Sequence, residues 1–181
     1  MTETTWEFGP SAGTITIHTD VAGRAAKAGH RLTIEMERWS GTATSNGDEP
    51  LSVQAAVSLD SLSVRSGEGG ITPLSGPEKL VARANALKSL QSNKYPDVTF
   101  ESSSIASTSD GYRAEGTLTI HGTSRPHALE FRAADTGSGW TITAETTIIQ
   151  TEFGIKPFSL MMGTLKAADD VQVAVAMTVT K

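Results

Sequence analysis

The sequence predicts a mainly β protein in which one amphipathic helix interrupts a series of antiparallel strands. Apolar side chains recur at every second position over most of the 181 residues, with mainly Thr, Ser, Glu, Arg and Gln between them. This alternation is typical of antiparallel strands with one buried and one solvated face. Turn-forming clusters such as SNGDEP, TSDG and DTGSG separate many of the runs. One segment has helical spacing instead.

The alternating runs number about eight, which suggests a sandwich or a barrel. An eight-stranded barrel can enclose side chains or one small ligand. In chain order, the apolar positions of the runs are Ile15, Ile17, Leu32, Ile34, Met36, Leu51, Val53, Ala55, Val57, Leu59, Val98, Phe100, Leu118, Ile120, Leu129, Phe131, Trp140, Ile142, Ile148, Val171, Val173, Val175, Met177 and Val179.

The helix is expected within residues 75–96. Ser75 and Glu78 have the spacing of a capping box, and Pro77 lies in the first turn. Pro96 would end the helix. The preceding loop, RSGEGGITPLSG, is long and rich in glycine. Such a loop is often mobile or functional.

Residues 150–170 form a second exception to the alternation, because glycine and proline interrupt an otherwise apolar stretch. Two interpretations remain open. The segment could plug one end of a barrel, or it could form a flexible lip around an apolar cavity, since Met fills irregular space well. Its apolar residues are Phe153, Ile155, Phe158, Leu160, Met161 and Met162.

Length, charge and composition restrict the class of function. The length suits a single domain over residues 1–181. The net charge of −5 argues against nucleic-acid partners and against docking on an anionic membrane. Without cysteine there is no thiolate chemistry or disulfide. No apolar stretch reaches the roughly 20 residues of a membrane span, so no stable membrane insertion is expected. The N-terminal residues have no secretory pattern, and we expect a cytoplasmic protein.

Two of the four histidines are expected to face inward. His30 and His127 share the register of the apolar residues that follow them, whereas His18 and His121 fall on the opposite register. No H-x-x-x-H or H-E-x-x-H spacing occurs, so no metal site is predicted. For His30 we favour a polar group at the core edge, satisfied by backbone, over a contact with a polar ligand head or a metal. For His127 a structural role is favoured more strongly.

No catalytic residue is predicted. The sequence lacks a G-x-S-x-G elbow, and Glu35, Glu37 and Asp60 alternate toward solvent instead of converging in a cleft. Arg65 and Lys156 lie beside apolar residues in the irregular segments. A cation at the mouth of an apolar cavity could hold a phosphate or a carbonyl head group.

Three segments together resemble the YceI-like proteins, the polyisoprenoid-binding family. They read KYPDVTFESSSI, GTLTIHGTSRPHALEF and TEFGIKPFSLMMG. The most specific marks are Y-P-x-x-x-F after the helix, from Tyr95 to Phe100, and G-x-L-x-I-x-G-x-[ST]-x-P, from Gly116 to Pro126. The resemblance extends from Trp6 to the last strand.

The resemblance implies a lipocalin-like, eight-stranded antiparallel barrel with one inserted helix. It implies a binder or carrier of a long-chain isoprenoid lipid, such as an isoprenoid quinone or a polyprenyl phosphate, held in an elongated apolar tunnel. It brings no catalytic residue and no cofactor apart from the bound lipid, and it allows a homodimer. Many relatives are exported, whereas this sequence shows no export signal, so a cytoplasmic variant is expected.

The expected ligand-binding residues follow from the resemblance and from the inward register. The head-group candidates are His30, Arg65 and Lys156. Expected along the tunnel are Ile17, Leu32, Ile34, Val57, Leu87, Phe100, Leu118, Phe131 and Met177, and near an opening Phe153, Phe158 and Met161. Two alternatives stay open. A ligand-free structural or protein-interaction barrel would have a packed interior, and FSLMMG would be its binding lip. An enzyme would need His30 and a further reactive partner.

Overall fold

The computed structural model describes residues 2–181 as fourteen strands and one α-helix. The helix, α1, spans Gly76–Leu90. Short 3₁₀ turns occur at Ala26–Ala28, Leu59–Ser61, Gln150–Phe153 and Met161–Gly163. The strands are β1 (Glu3–Phe8), β2 (Gly13–His18), β3 (Val21–Ala22), β4 (His30–Met36), β5 (Trp39–Asn46), β6 (Glu49–Ser58), β7 (Leu62–Gly69), β8 (Asp97–Ser107), β9 (Tyr112–Ile120), β10 (Thr123–Asp135), β11 (Gly139–Ile149), β12 (Ser159–Leu160), β13 (Leu165–Ala167) and β14 (Asp170–Thr180).

Eleven of these strands form one large, curled antiparallel sheet. Its order is β1-β5-β6-β8-β9-β10-β11-β14-β2-β4-β7, and β12, β13 and β3 form a separate small sheet. The mainly β class with one helix is confirmed, but the expected count of eight strands is wrong. The sequence pattern missed β1 and β5, and it joined β6 and β7, which the 3₁₀ turn Leu59–Ser61 separates.

At three places the chain bends and continues in the same direction as the next strand: from β1 to β2, from β4 to β5, and from β6 to β7. The pairing of these strands shows it. β1 pairs with β5 while β2 pairs with β4, and β5 pairs with β6 while β4 pairs with β7. At the bend between β6 and β7, the Ser61 hydroxyl donates to the Ser58 carbonyl over 2.7 Å. It also accepts from the Arg38 amide over 2.9 Å. These bends curl the large sheet.

The helix begins at the predicted capping box. The Ser75 hydroxyl accepts from the Glu78 amide over 3.3 Å and donates to the Glu78 carboxylate over 2.9 Å. The helix ends at Leu90, before Pro96, because Gln91 adopts a left-handed conformation with φ 49°. The Arg83 guanidinium donates to the Leu62 carbonyl over 2.7 Å. This bond fixes α1 against β7, at the edge of the large sheet.

The 150–170 segment divides into a buried part and an exposed part. Phe153 and Ile155 are 2% and 3% exposed and pack in a core cluster with Phe100 and Leu118. Met162 is fully exposed, and Leu160 and Met161 are about half exposed. The first part therefore packs as a plug, and the second part projects as a tip that the small sheet holds beside β3. Within residues 2–181, no helix is long and apolar enough to cross a bilayer.

Candidate functional site

The curled sheet surrounds a cavity of about 920 Å³. Every strand of the large sheet contributes lining residues, and α1 adds one side with small and polar residues such as Ala82, Asn85 and Ala86. The period-two rows of the strands explain the apolar lining. On β11, for example, every second residue from Trp140 to Ile148 lines the cavity. The volume is at the upper end of ordinary ligand sites, about 300–1,000 Å³.

Three apolar residues that line the cavity are themselves exposed to solvent. Ile71, in the glycine-rich loop, is 85% exposed, and Val81 on α1 and Leu160 in the tip are also exposed. All three line the cavity. Exposed apolar patches mark sites of interaction. We call these three residues the mouth of the cavity.

Charged side chains line the cavity only where they are exposed to solvent. They are Asp20, Asp48, Glu78 and Lys166. No arginine lines it within residues 2–181. The same part of the chain holds no group of three or more His, Cys, Asp or Glu side chains that could bind a metal ion. The interior therefore suits an apolar molecule with few polar groups.

Most residues expected at the ligand site line the cavity. They come from seven strands and from the start of the exposed tip. They are Ile17, His30, Leu32, Ile34, Val57, Phe100, Leu118, Phe131, Phe158 and Met177.

The two expected cations do not line the cavity, so their placement at its mouth is wrong. Arg65 lies within β7 and not in a loop, at the β-bulge between the pairs Ile34–Val64 and Thr33–Ser66. Its guanidinium pairs with Glu35 over 3.0 Å and with Glu37 over 2.7 Å, away from the cavity lining. Lys156 is exposed and does not line the cavity. The Arg65 expectation failed because strand β7 continues through this residue. At Lys156 it failed because the neighbouring Ile155 lines the cavity instead.

Three expected apolar residues also lie off the cavity. Leu87, on α1, packs against the first core cluster, whereas its neighbours Asn85 and Ala86 line the cavity. Phe153 is buried in the second core cluster. Met161 is 61% exposed in the tip, where its φ is 52°.

His30 lines the cavity at the start of β4, next to the mouth. Its Nε2 donates to the Thr72 carbonyl over 2.7 Å, which ties the glycine-rich loop to the sheet. The fit is close, because a Cβ at Gly70 would lie 2.5 Å from Nε2. The backbone therefore satisfies this imidazole, and no Ser, Asp or Glu side chain within residues 2–181 hydrogen-bonds to it.

His127 also lines the cavity, although it was not expected among the ligand-binding residues. Its Nε2 lies 2.7 Å from the Thr146 hydroxyl, and its ring meets the edge of Phe100 at 87°. Burial lowers the pKa of His127 below its ordinary value, against the opposing negative charge of Glu152. One sequence feature could have indicated this role: Thr146, a polar residue, occupies the inward register of β11 two residues before Ile148.

The sequence model of the YceI-like domain matches residues 6–179. The chain belongs to the YceI-like family. This is a family of ligand-binding barrels. No functionally curated protein matches the chain.

Solved structures of YceI-like proteins share the fold. BcnA of Burkholderia cenocepacia has 16% sequence identity and a TM-score of 0.70, over 93% of this chain and 96% of BcnA. The YceI protein of Campylobacter jejuni has 16% identity and a TM-score of 0.61, over 82% of this chain and 84% of its own. At this identity the comparison supports the fold alone.

In this YceI-like chain the two family motifs meet around His121, whose expected outward orientation is wrong. β9 ends at Ile120, and His121 lies in the turn with φ 56°, so the strand alternation no longer applies to it. Its ring packs on Tyr95 with 4.9 Å between centroids, and its Nδ1 donates to the Phe153 carbonyl over 3.3 Å. His18, in contrast, is exposed as expected.

Proposed function

We propose that the protein binds a long-chain isoprenoid lipid, of quinone or polyprenyl type, and sequesters or carries it. The observation that carries this proposal is the apolar cavity of about 920 Å³ with a mouth of exposed apolar residues. Each methylene group removed from water contributes about 0.8 kcal/mol. A few isoprene units would therefore offset the cost of ordering a flexible chain.

The two alternatives have less support. A structural or protein-interaction barrel would fill its interior with side chains, whereas this sheet surrounds a large cavity. An enzyme using His30 would need a reactive partner beside the imidazole, and Nε2 instead donates to the Thr72 carbonyl. Family membership also supports ligand binding.

Native mass spectrometry of freshly purified protein, followed by organic extraction and lipid identification, tests the proposal. We expect a stoichiometric isoprenoid species. The variant Leu118→Trp should lose it, because residue 118 is 6% exposed and lines the cavity, so a larger ring would occupy the lipid's volume. Thr117→Trp places the same ring on the exposed face and is the matched control.

A clean apo mass that stays unchanged after incubation with an isoprenoid quinone and with a polyprenyl phosphate would contradict lipid binding. Equal lipid retention in Leu118→Trp and Thr117→Trp would contradict the assignment to this cavity. Circular dichroism of both variants monitors folding.

The location and the oligomeric state stay predictions from the sequence. We propose a cytoplasmic protein, which cell fractionation would test. The family resemblance allows a homodimer, which light scattering coupled to size-exclusion chromatography would detect.

A further inference from the structure

Two polar side chains face each other within otherwise apolar rows of the cavity wall. The inward row of β10 contains one histidine, and the inward row of β11 contains one threonine. His127 Nε2 and Thr146 Oγ1 are 2.7 Å apart. The lining residues of the two rows are His127, Leu129, Phe131 and Ala133 on β10, and Trp140, Ile142, Ala144, Thr146 and Ile148 on β11.

The backbone hydrogen bonds between β10 and β11 form without this side-chain pair. Paired residues of β10 and β11 extend from Asp135 to Phe131, so His127 and Thr146 lie beyond the end of the ladder. A valine has nearly the shape of threonine and would continue the apolar row. Removing polar groups from water lowers stability unless they are hydrogen-bonded. The pair therefore points to a use for the hydrogen-bonding capacity that it retains.

That capacity is the same in either tautomer. If the Thr146 hydroxyl donates to Nε2, then Nδ1 of the neutral imidazole keeps its proton and Oγ1 can still accept. If Nε2 donates instead, the hydroxyl keeps its proton and Nδ1 accepts. Within residues 2–181 neither side chain has another hydrogen-bond partner. One donor and one acceptor thus remain for a molecule in the cavity.

The surroundings favour an uncharged group at this point. Burial lowers the pKa of His127, which keeps the imidazole neutral near pH 7. The charged lining residues are exposed to solvent, and three of the four are carboxylates: Asp20, Asp48 and Glu78, with Lys166 as the cation. Burying an anion without a paired cation is strongly unfavourable.

We propose that His127 and Thr146 form a polar subsite inside the cavity that holds an uncharged, oxygen-bearing head group, such as a carbonyl or a hydroxyl. The proposal rests on the lipid-binding function above and narrows its ligand class. It favours a quinone or an isoprenoid alcohol over a polyprenyl phosphate.

Three probes test this subsite: a short-chain isoprenoid quinone, the isoprenoid hydrocarbon squalene, and farnesyl phosphate. Quinone binding is followed by quenching of tryptophan fluorescence, because Trp6, Trp39 and Trp140 all line the cavity. The other two probes are measured by displacement of the quinone. For the wild type we expect tighter binding of the quinone than of farnesyl phosphate.

Two variants should remove the subsite and change the ratio of quinone to hydrocarbon affinity. Thr146→Val and His127→Leu should each weaken quinone binding about three- to tenfold, the equivalent of one hydrogen bond. Squalene binding should stay unchanged. Thr146→Ser keeps the hydroxyl and should bind the quinone with the affinity of the wild type. Thr143→Val, on the exposed face of the same strand, is the matched control.

The outcomes separate this inference from the proposed function. If the wild type binds none of the three probes, the lipid-binding function fails, and the subsite fails with it. If the wild type binds quinone and squalene but both variants keep the wild-type affinity ratio, only the subsite fails, and the pair merely joins two strands. Tighter binding of farnesyl phosphate than of quinone would overturn the uncharged head group while leaving lipid binding intact.

Discussion

His30 and His127 have the same place in the sequence pattern, each opening an inward apolar row, but their contacts differ. His30 donates to a backbone carbonyl next to the mouth. His127 pairs with a threonine side chain in the cavity wall. The period-two pattern identified both inward positions. It could not identify the partners, because the Thr72 carbonyl and the Thr146 hydroxyl become neighbours only through tertiary structure.

The burial of His127 predicts a pH dependence of stability. Its pKa is lowered in the folded state, so below about pH 6.5 the unfolded chain takes up the proton first. The stabilisation that the neutral His127 side chain gives the folded state is therefore fully present above its pKa in the unfolded chain. It is lost as the pH falls through its lower pKa in the folded state. Urea unfolding between pH 5 and pH 8 should show wild-type stability decreasing toward low pH relative to His127→Gln.

The control for this prediction is His18→Gln, because His18 is exposed on β2. We expect this variant to keep the decrease in stability toward low pH that His127→Gln loses. A constant difference in stability between wild type and His127→Gln over the whole pH range would show that the imidazole titrates alike in the folded and unfolded states.

At the scale of elements, the helix and most strands were predictable because each carries a local signal. The helix has its capping box, and eight runs alternate. β5 was missed because, after Trp39, its inward positions are Gly41, Ala43 and Ser45, which continue no row of large apolar residues. Gly41 is needed there, since a Cβ would lie 2.1 Å from the ring of Phe8 on β1. This requirement comes from the pairing of β1 with β5, which no local pattern reveals.

The hairpin between β9 and β10 depends on a close contact with the segment after the helix. Gly122 has φ +69°, and a Cβ there would lie 2.5 Å from the Tyr95 ring. Gly137, in the hairpin between β10 and β11, has φ +85° and no atom within 4 Å of a Cβ. The two glycines therefore have similar backbone conformations but different surroundings.

This difference predicts unequal losses of stability. Gly137→Ala should lower the free energy of unfolding by about 1 kcal/mol, the effect of a left-handed conformation in a residue with a Cβ. Gly122→Ala should lower it by about 1–3 kcal/mol more, because Tyr95 must move in a packed region. Denaturant unfolding measures both. Equal losses would mean that the Tyr95 ring moves aside without measurable effect.

The whole molecule combines a curled sheet with an unfilled interior, and this arrangement limits the stability of the empty protein. Side chains that line the cavity, such as Phe100 and Leu118, pack in a core cluster on one side but lack contacts on the side that faces the cavity. The large sheet was predictable from alternation, whereas the cavity was not. Whether inward side chains meet in the middle depends on how far the sheet curls, and the bends that set this curvature are tertiary features.

Removal of the lipid should therefore lower the melting temperature. A ligand that binds only the folded state stabilises it by about 2.7 kcal/mol at a free concentration of 100 times Kd. For a domain of this size that corresponds to a shift of about 5 to 10 °C. Calorimetry of the protein as purified, after extraction, and after reloading with an isoprenoid quinone measures the shift. Leu118→Trp, whose ring would fill the cavity, should melt at the same temperature with and without quinone. If the reloaded wild type melts at the same temperature as the extracted protein, lipid binding in this cavity is contradicted.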